Sequence, residues 1–141
     1  MSRVFWDTML FVYLLEGHPR FSARVRELLA RSRKRSDQLF TSHLALGEIL
    51  AGVNKSPNLQ SERILRETLR EMVFTCLPFD DGAVAPFAKL RATQKLKVAD
   101  AIHLACAASA GIDLFLTGDK QLARLDVPGI QFISDFNTPV L

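Results

Sequence analysis

Short apolar segments alternate along the chain with longer segments in which apolar residues recur every three or four positions. The short segments are typical of buried parallel strands, and the longer ones are typical of amphipathic helices. Strands are predicted at 3–6, 38–41, 73–77, 113–117 and 130–133. Helices are predicted at 8–16, 21–35, 43–53, 61–71, 80–94 and 98–110, with a further short helix that ends at 125.

This alternation predicts the fold class. Strands separated by helices form parallel sheets that carry helices on both faces. We therefore expect an α/β fold, a three-layer α/β/α sandwich around a central, mainly parallel sheet of about five strands. Local signals agree with it: Ser42 is expected to cap the helix that begins at His43, residues 54–58 to form a turn, and Gly111 to end the helix that begins at Val98.

Length and composition narrow the class of protein. The chain has 141 residues, of which 48% are hydrophobic and 23% charged, so we expect one globular domain spanning 1–141. Cys76 and Cys106 belong to no Cys/His cluster, which argues against a disulfide framework and a structural zinc site. The longest apolar run, 9–15, is far shorter than the roughly 20 residues of a membrane span. Acids flank this run and no small-residue cleavage site follows, so we predict a cytoplasmic protein without a signal peptide or membrane contact.

The net charge of +3 conceals two basic clusters. Residues 20–35 contain seven arginines and lysines and one acid, and residues 89–97 contain four basic residues and no acid. Such clusters suit phosphate contacts, although solvated helix faces have the same sequence pattern. The candidate nucleic-acid contacts are Arg20, Arg24, Lys95 and Lys97. Because the chain has one Tyr and one Trp, we expect no aromatic ladder for stacking bases.

Four acidic residues follow predicted strands or lie near the beginnings of predicted helices. Asp7 directly follows the first strand, and Asp119 lies two residues beyond the fourth. Glu48 and Asp100 lie in the helices that begin at 43 and 98. Because ligand sites of open parallel sheets form beyond the carboxyl ends of the strands, these acids are expected to converge there. Such an oxygen-only set favours Mg²⁺ or Mn²⁺ over zinc or copper.

Each of these acids also has a structural alternative. Asp7 and Asp119 could form turns, and Asp100 could cap a helix, for which aspartate is a preferred residue. Glu48 lies in an apolar run, so its carboxylate needs a cationic partner. His103 shares a helix face with Asp100, but a histidine in such a segment is more often a satisfied, half-buried residue than a ligand. The sequence shows no Ser/His/Asp or Cys/His arrangement for nucleophilic catalysis.

Four segments around these acids resemble, in order and spacing, the PIN-domain ribonucleases and among them the VapC-type toxins. The segments are 4–8, 42–52, 99–105 and 116–119. The resemblance implies a single PIN domain over 1–141 whose catalytic acids hold one or two Mg²⁺ or Mn²⁺ ions. By the same resemblance these acids are Asp7, Glu48, Asp100 and Asp119. Thr8 and Thr117 would support the pocket.

The resemblance also implies an activity and partners. PIN-domain ribonucleases hydrolyse RNA phosphodiester bonds without a covalent intermediate, and VapC-type toxins usually form homodimers. A small VapB-type antitoxin silences them with a tail that covers the acidic pocket. In this chain, four converging carboxylates would repel one another, so at least one is expected to have a raised pKa in the absence of metal. The remaining charges, 18 positive against 11 negative, suit an RNA substrate.

The chain departs from the family pattern at three places. Met9 stands where a polar residue is common, Ala45 where threonine or serine is common, and 121–122 where an acid or histidine precedes an aromatic residue. Other classes fit less well. A phosphatase of the haloacid dehalogenase type requires a second acid at position 9, and a phospho-receiver domain requires an acidic pair before Asp7. A catalytically idle PIN-like module that binds RNA or protein stays open as the alternative.

Overall fold

The computed structural model describes residues 1–53 and 58–139. It contains one sheet whose strands are β1 Arg3–Trp6, β2 Gln38–Ser42, β3 Phe74–Leu77, β4 Leu114–Thr117 and β5 Phe132–Asp135. Their order across the sheet is β3-β2-β1-β4-β5, and every neighbouring pair is parallel. β1 therefore lies at the centre, between β2 and β4. The predicted five-stranded α/β sheet is confirmed, and it is wholly parallel.

Helices cover both faces of this sheet. They are α1 Thr8–Leu15, α2 Ser22–Lys34, α3 His43–Val53, α4 Leu59–Glu71, α5 Asp81–Thr93 and α6 Val98–Ala110, with a 3₁₀ turn at Leu122–Arg124. Val4 and Trp6 of β1 pack into one core with residues of α1 to α4. Phe5, which points to the opposite face, packs into a second core with α5 and α6. The two cores confirm the predicted three-layer sandwich.

Aromatic packing fixes the end of β1. Trp6 has no exposed surface, and its ring centroid lies 5.2 Å from that of Phe11 and 5.0 Å from that of Phe74. Burying side chains of this size contributes about 1.5–3 kcal/mol each. Because Asp7 directly follows Trp6, this core sets where the first predicted site residue emerges from the sheet.

Several element boundaries differ from the sequence-based expectation, and two of the differences have a local cause. Helix α4 begins at Leu59 instead of 61, because the Asn58 side chain accepts a hydrogen bond from Ser61 N–H (2.9 Å) and Ser61 Oγ accepts one from Asn58 N–H (3.0 Å). Residues 54–57 of the predicted turn lie outside the described residues. Strand β3 begins at Phe74 because Val73 has a φ of 62°, which is not an extended conformation.

The last strand lies two residues further along the chain than predicted. Gly129 has a φ of 98°, and Ile130 N–H closes the turn by donating to the Val127 carbonyl (3.0 Å). Ile130 then fills the core on the α6 side, and β5 pairs with β4 from Phe132 to Asp135. Within residues 1–53 and 58–139, no helix has the length and apolar character needed to cross a bilayer.

Candidate active site

Asp7 emerges at the carboxyl end of β1, the central strand, and is the N-cap of α1. Its Oδ1 accepts a hydrogen bond from Thr8 N–H at 2.8 Å. Its Oδ2 accepts one from the hydroxyl of Thr117, the last residue of the neighbouring β4, also at 2.8 Å. Thr117 is fully buried, and its Oγ1 accepts from Asp119 N–H at 3.1 Å. One threonine therefore orients the Asp7 carboxylate and the start of the Asp119 turn together.

Glu48 is held by donors from two other helices. Thr8 Oγ1 of α1 donates to Glu48 Oε1 at 2.7 Å, and His103 Nε2 of α6 lies 2.7 Å from the same oxygen. His103 is 2% exposed, and its Nδ1 lies 2.7 Å from Ser42 Oγ at the end of β2. Ser42 Oγ also accepts from Ala45 N–H at 3.0 Å, the bond expected of a helix cap. Glu48 was predicted to need a cationic partner, and in the structure its partner is the imidazole of His103, which is bound through a hydrogen bond.

The hydrogen-bond partners assign the proton positions of His103. A carboxylate only accepts, so Nε2 carries the proton that faces Glu48. In the neutral ring Nδ1 then accepts the Ser42 hydroxyl proton, and Ser42 Oγ stays free to accept from Ala45 N–H. This assignment satisfies both ring nitrogens and the hydroxyl, as buried polar groups require.

Folding brings together a serine, a histidine and a glutamate that lie far apart in the sequence. Ser42, His103 and Glu48 form a continuous hydrogen-bonded chain. Ser42 has no exposed surface, so no substrate can reach its hydroxyl as it would reach a nucleophile. The chain of hydrogen bonds therefore orients Glu48. His103 was expected to be a half-buried residue whose ring nitrogens have hydrogen-bond partners; both nitrogens do have partners, but the residue is fully buried.

Asp100 lies in the first turn of α6, and the suggestion that it caps this helix is wrong. The N-cap is Lys97, which makes no side-chain cap hydrogen bond. Burial raises the pKa of the Asp100 carboxyl, and the negative charges of Asp7 and Asp119 raise this pKa further. His103 and Lys97 act in the opposite direction. The three aspartates therefore lie close enough to repel one another, as the sequence-based argument expected.

Asp119 is exposed and keeps a structural role as well. Its Oδ1 accepts from Gln121 N–H at 2.8 Å, the hydrogen bond of an aspartate that stabilises its own turn. Asp135, which the sequence reasoning did not single out, pairs with Thr117 at the same end of the sheet. Its Oδ1 accepts from Asn137 N–H at 2.8 Å. Because β5 was predicted to end at 133, the sequence did not indicate that Asp135 lies at this end of the sheet.

The four predicted acids thus gather at the carboxyl edge of the sheet. His103 Nε2 lies 2.7 Å from Glu48 Oε1 and 4.0 Å from Asp7 Oδ1, and Asp100 is perturbed by both Asp7 and Asp119. In the described part of the chain they do not form a ready cluster of three metal ligands. Several of their oxygens instead accept hydrogen bonds from the protein.

The candidate RNA contacts do not share one environment. Arg24 binds the C-terminal segment, donating from Nε to Phe136 O (3.1 Å) and from Nη2 to Thr138 O (3.0 Å), and it pairs with Glu27. Arg20, Lys95 and Lys97 are exposed, and Lys97 lies near enough to lower the pKa of Asp100.

The rest of the first basic cluster lies far from the acids. Helix α2 has 13 residues and leads directly into the start of β2, so residues 31–35 lie at the opposite edge of the sheet. A helix of this length spans roughly 20 Å. Only the beginning of α2 is therefore placed to contact a ligand of the acidic site.

Comparison with known proteins agrees with the fold. The sequence matches the PIN domain family over residues 4–128. No curated protein sequence matches the chain. The structure is similar to a chain of VapBC from Salmonella typhimurium bound to DNA, with a TM-score of 0.68 and 22% identity, covering 96% of this chain and 99% of that one.

Two further solved structures share this fold. A chain of VapBC2 from Rickettsia felis, bound to a DNA fragment from its promoter, matches with a TM-score of 0.68 and 18% identity over 94% of this chain and 97% of that one. A chain of FitAcB from Neisseria gonorrhoeae matches with a TM-score of 0.61 and 23% identity over 82% and 87%. The fold and the acidic edge define a PIN-type α/β protein. By the extent of the sequence match, the chain belongs to the PIN domain family.

Proposed function

We propose that the chain is a metal-dependent endoribonuclease of the VapC type that hydrolyses RNA phosphodiester bonds. The observation that carries the proposal is the convergence of Asp7, Glu48, Asp100 and Asp119 from four separate elements on one edge of the sheet. Structural aspartates have no reason to meet in this way, because like charges at close range raise the free energy of the fold. A bound cation would compensate this repulsion, so the convergence supports a site that binds a cation and a phosphate.

The donor set fits Mg²⁺ or Mn²⁺. The four acids and the two threonines offer oxygen only, and the burial and like charge that raise the pKa of Asp100 are effects that a dication opposes. Asp7, Glu48, Asp100 and Asp119 would hold the ion. When bound, it supplies positive charge that stabilises negative charge developing on the scissile phosphate. One or two ions both suit this set of carboxylates.

The protein's own residues would position these acids and the RNA. Thr117 and the N–H of Thr8 fix the Asp7 carboxylate through both of its oxygens. Thr8 Oγ1 and His103 direct their hydrogen bonds to one oxygen of Glu48 and so set the plane of that carboxylate. Lys97, beside Asp100, and exposed Arg20 are proposed to contact RNA phosphates, together with Lys95.

A toxin role with an antitoxin partner is part of the proposal. The solved structures that share the fold include toxin–antitoxin complexes, which supports a VapB-type partner for this chain. We propose that the protein acts in the cytoplasm as a homodimer, and that a basic side chain of the antitoxin enters the acidic edge. Arg24, bound to the C-terminal segment, is proposed to stabilise the fold and not to contact RNA.

RNA cleavage tests the proposal directly. Purified protein is incubated with structured RNA in Mg²⁺ or Mn²⁺, then with a chelator, and then as the Asp7→Asn variant. Asp126→Asn is the matched control, because Asp126 is exposed, borders α5 and is not among the charges that shift the pKa of Asp100. We expect the chelator and Asp7→Asn to abolish cleavage and Asp126→Asn to leave it intact. Cleavage that survives the chelator or Asp7→Asn refutes the metal–carboxylate mechanism.

An idle PIN-like binding module is the second candidate. It is favoured by one observation, that no ready cluster of three ligands forms within residues 1–53 and 58–139. Calorimetric titration with Mn²⁺ separates the two candidates. The nuclease requires metal binding that Asp7→Asn weakens, whereas the absence of binding at millimolar metal supports the idle module.

A further inference from the structure

Three aromatic side chains form a cluster at the surface beside the acidic edge. We call Tyr13, His18 and Phe21 the aromatic platform. The ring centroid of Tyr13 lies 5.0 Å from those of both His18 and Phe21, and the His18 and Phe21 rings stack at 5.0 Å with an angle of 18°. Phe136 is 3% exposed and supports the platform from below, with centroids 5.5 Å from Tyr13 and 5.4 Å from Phe21. The three platform rings are only partly buried.

Backbone hydrogen bonds hold the His18 ring of the platform, and ring contacts hold Tyr13 and Phe21. His18 Nδ1 accepts from the N–H groups of Arg20 (3.1 Å) and Phe21 (3.2 Å), which fixes the imidazole plane. The turn before it is possible because Gly17 has a φ of 64°. A surface whose rings are already fixed loses little conformational entropy when a flat ligand stacks on it.

The platform and the acids border the same surface. Gly118 lies between Thr117 and Asp119, and a Cβ placed on it would lie 3.9 Å from the Tyr13 hydroxyl and 3.7 Å from Phe136 Cε1. Tyr13 therefore stands directly beside the turn that carries one of the four acids. A ligand that reaches from the acids across Gly118 meets the platform next.

The charges around the platform select the class of ligand. The Arg20 guanidinium lies 5.2 Å from the Phe21 ring centroid and is exposed. Rings that offer a stacking face, together with a cation beside them, are the combination that binds single-stranded nucleic acids. Bases within a duplex are already stacked and do not offer their faces.

We propose that the aromatic platform binds a base of single-stranded RNA next to the proposed cleavage site, with Arg20 contacting an adjacent phosphate. The inference rests on the proposed nuclease function and deepens it, because it assigns a base-binding subsite beside the acids. The sequence-based expectation of no aromatic ladder considered Tyr and Trp alone. Folding instead combines the one tyrosine with a histidine and a phenylalanine.

Binding of two matched probes tests the proposal. The first is a fluorescent single-stranded RNA of about ten nucleotides, and the second is an abasic oligomer of the same length and charge. Both are titrated against the full chain with a chelator present, so that cleavage does not interfere. We expect the abasic probe to bind roughly 5- to 100-fold more weakly.

The variants are chosen to remove rings and leave the fold in place. His18→Asn keeps an acceptor for the N–H groups of Arg20 and Phe21 but removes the ring, and Tyr13→Leu keeps bulk but not aromaticity. Each is expected to weaken binding of the RNA and to leave binding of the abasic probe unchanged. Tyr13→Phe restores the ring and should bind RNA as the parent does.

Arg20 is tested against an arginine at the far end of α2. Arg20→Gln should weaken binding of both probes, because it removes a phosphate contact. Arg33→Gln makes the same charge change at the opposite edge of the sheet, where the effect on both probes should be small. Equal effects of the two substitutions would mean that the probes respond only to the net charge of the protein, and this result would overturn the role of Arg20.

A spectroscopic signal locates the base. Because Tyr13 is the only tyrosine, fluorotyrosine labelling gives a single ¹⁹F resonance from the platform. Its shift should change with RNA and not with the abasic probe. Unchanged RNA affinity in both ring variants overturns the proposal, and a change in their oligomeric state would mark the platform as a protein interface and overturn it too. Cleavage assays on the same proteins distinguish the two proposals. If the parent cleaves RNA and the ring variants bind and cleave it equally well, the base-binding role of the platform is refuted and the proposed nuclease function is not.

Discussion

Replacing His103 separates its contribution to folding from its contribution to the orientation of Glu48. The two ring nitrogens serve different partners, Ser42 at Nδ1 and Glu48 at Nε2. His103→Asn places its amide near the position of Nδ1 and keeps the contact with Ser42. His103→Gln reaches to the position of Nε2 and keeps the donor to Glu48. The two variants carry the same functional group and differ mainly in which contact survives.

The expected loss of stability follows from burial and hydrogen bonding. His103→Ala leaves a cavity in a site that is 2% exposed and removes a partner from Ser42, so the free energy of unfolding should fall by about 2–5 kcal/mol. The Asn and Gln variants each keep one contact and should lose about 1–3 kcal/mol. Urea unfolding measures all three. Exposed His43, replaced by Gln, is the control and should change stability by less than about 0.5 kcal/mol.

His103→Asn and His103→Gln should differ in activity although their stabilities are similar. A hydrogen bond to a charged group is worth about 1.5–3 kcal/mol, so losing the donor to Glu48 should lower kcat/KM for RNA by roughly ten- to a hundredfold in His103→Asn. His103→Gln should stay closer to the parent. The affinity for Mn²⁺ should follow the same order, because a misoriented Glu48 is a poorer ligand. Equal kcat/KM and equal Mn²⁺ affinity in the two variants would refute the positioning role of His103.

Three further predictions use other parts of the structure. Thr117→Val should lower the free energy of unfolding by about 1–3 kcal/mol and reduce RNA cleavage, because it removes the hydroxyl that donates to Asp7. Thr117→Ser keeps this hydroxyl and should restore both properties, as measured by urea unfolding and RNA cleavage. Gly129→Ala should lower the free energy of unfolding in urea by about 2 kcal/mol or more, because φ is 98° and the new Cβ would lie 2.7 Å from the carbonyl oxygen of Ala108. Gly47→Ala should instead raise it by about 0.5–1 kcal/mol, because Gly47 lies within α3 with open space around it. Burial raises the pKa of Cys106 from 9.0 to about 11, so the thiol of the unfolded chain ionises first and the free energy of unfolding should fall between pH 9 and about 11. Urea unfolding at a series of pH values should show this fall in the parent and a smaller one in Cys106→Ala, and the same pH dependence in both would contradict the prediction.

The sheet and its order of elements could be predicted because they depend on local patterns. A buried parallel strand is a short apolar run, so β1 and the helix that follows Asp7 could be placed within a residue of their observed ends. The end of β5 could not, because Ile130 is as apolar as a strand residue. Its place in the core depends on the positive φ of Gly129 and on packing against α6.

The convergence of the acids on one edge of the sheet could be predicted from the sequence, whereas the side-chain contacts that hold them could not. Asp7 and Asp119 follow strands, and the topology alone sends them to one edge. The contact between Glu48 and His103 joins residues 55 positions apart, and no local pattern records it. The only signal in the sequence was negative, a carboxylate in an apolar helix that required a partner. The platform was missed for the same reason, because its rings come from α1, the following turn and the start of α2.

The structural roles of the acids do not compete with the proposed function. Asp7 caps α1 and Asp119 stabilises its own turn, and both hydrogen bonds fix the carboxylates where a ligand would need them. Asp100 differs from them, because it lies beyond the cap of α6 and its pKa is raised by burial and by its acidic neighbours. Lys97, His103 and the dipole of α6 favour the charged form of Asp100, but burial and repulsion by Asp7 and Asp119 outweigh the two neighbouring side chains, so the pKa is raised. That repulsion is the strongest physical reason to interpret the acidic edge as a binding site for a cation, with helix caps and turns serving to hold its ligands.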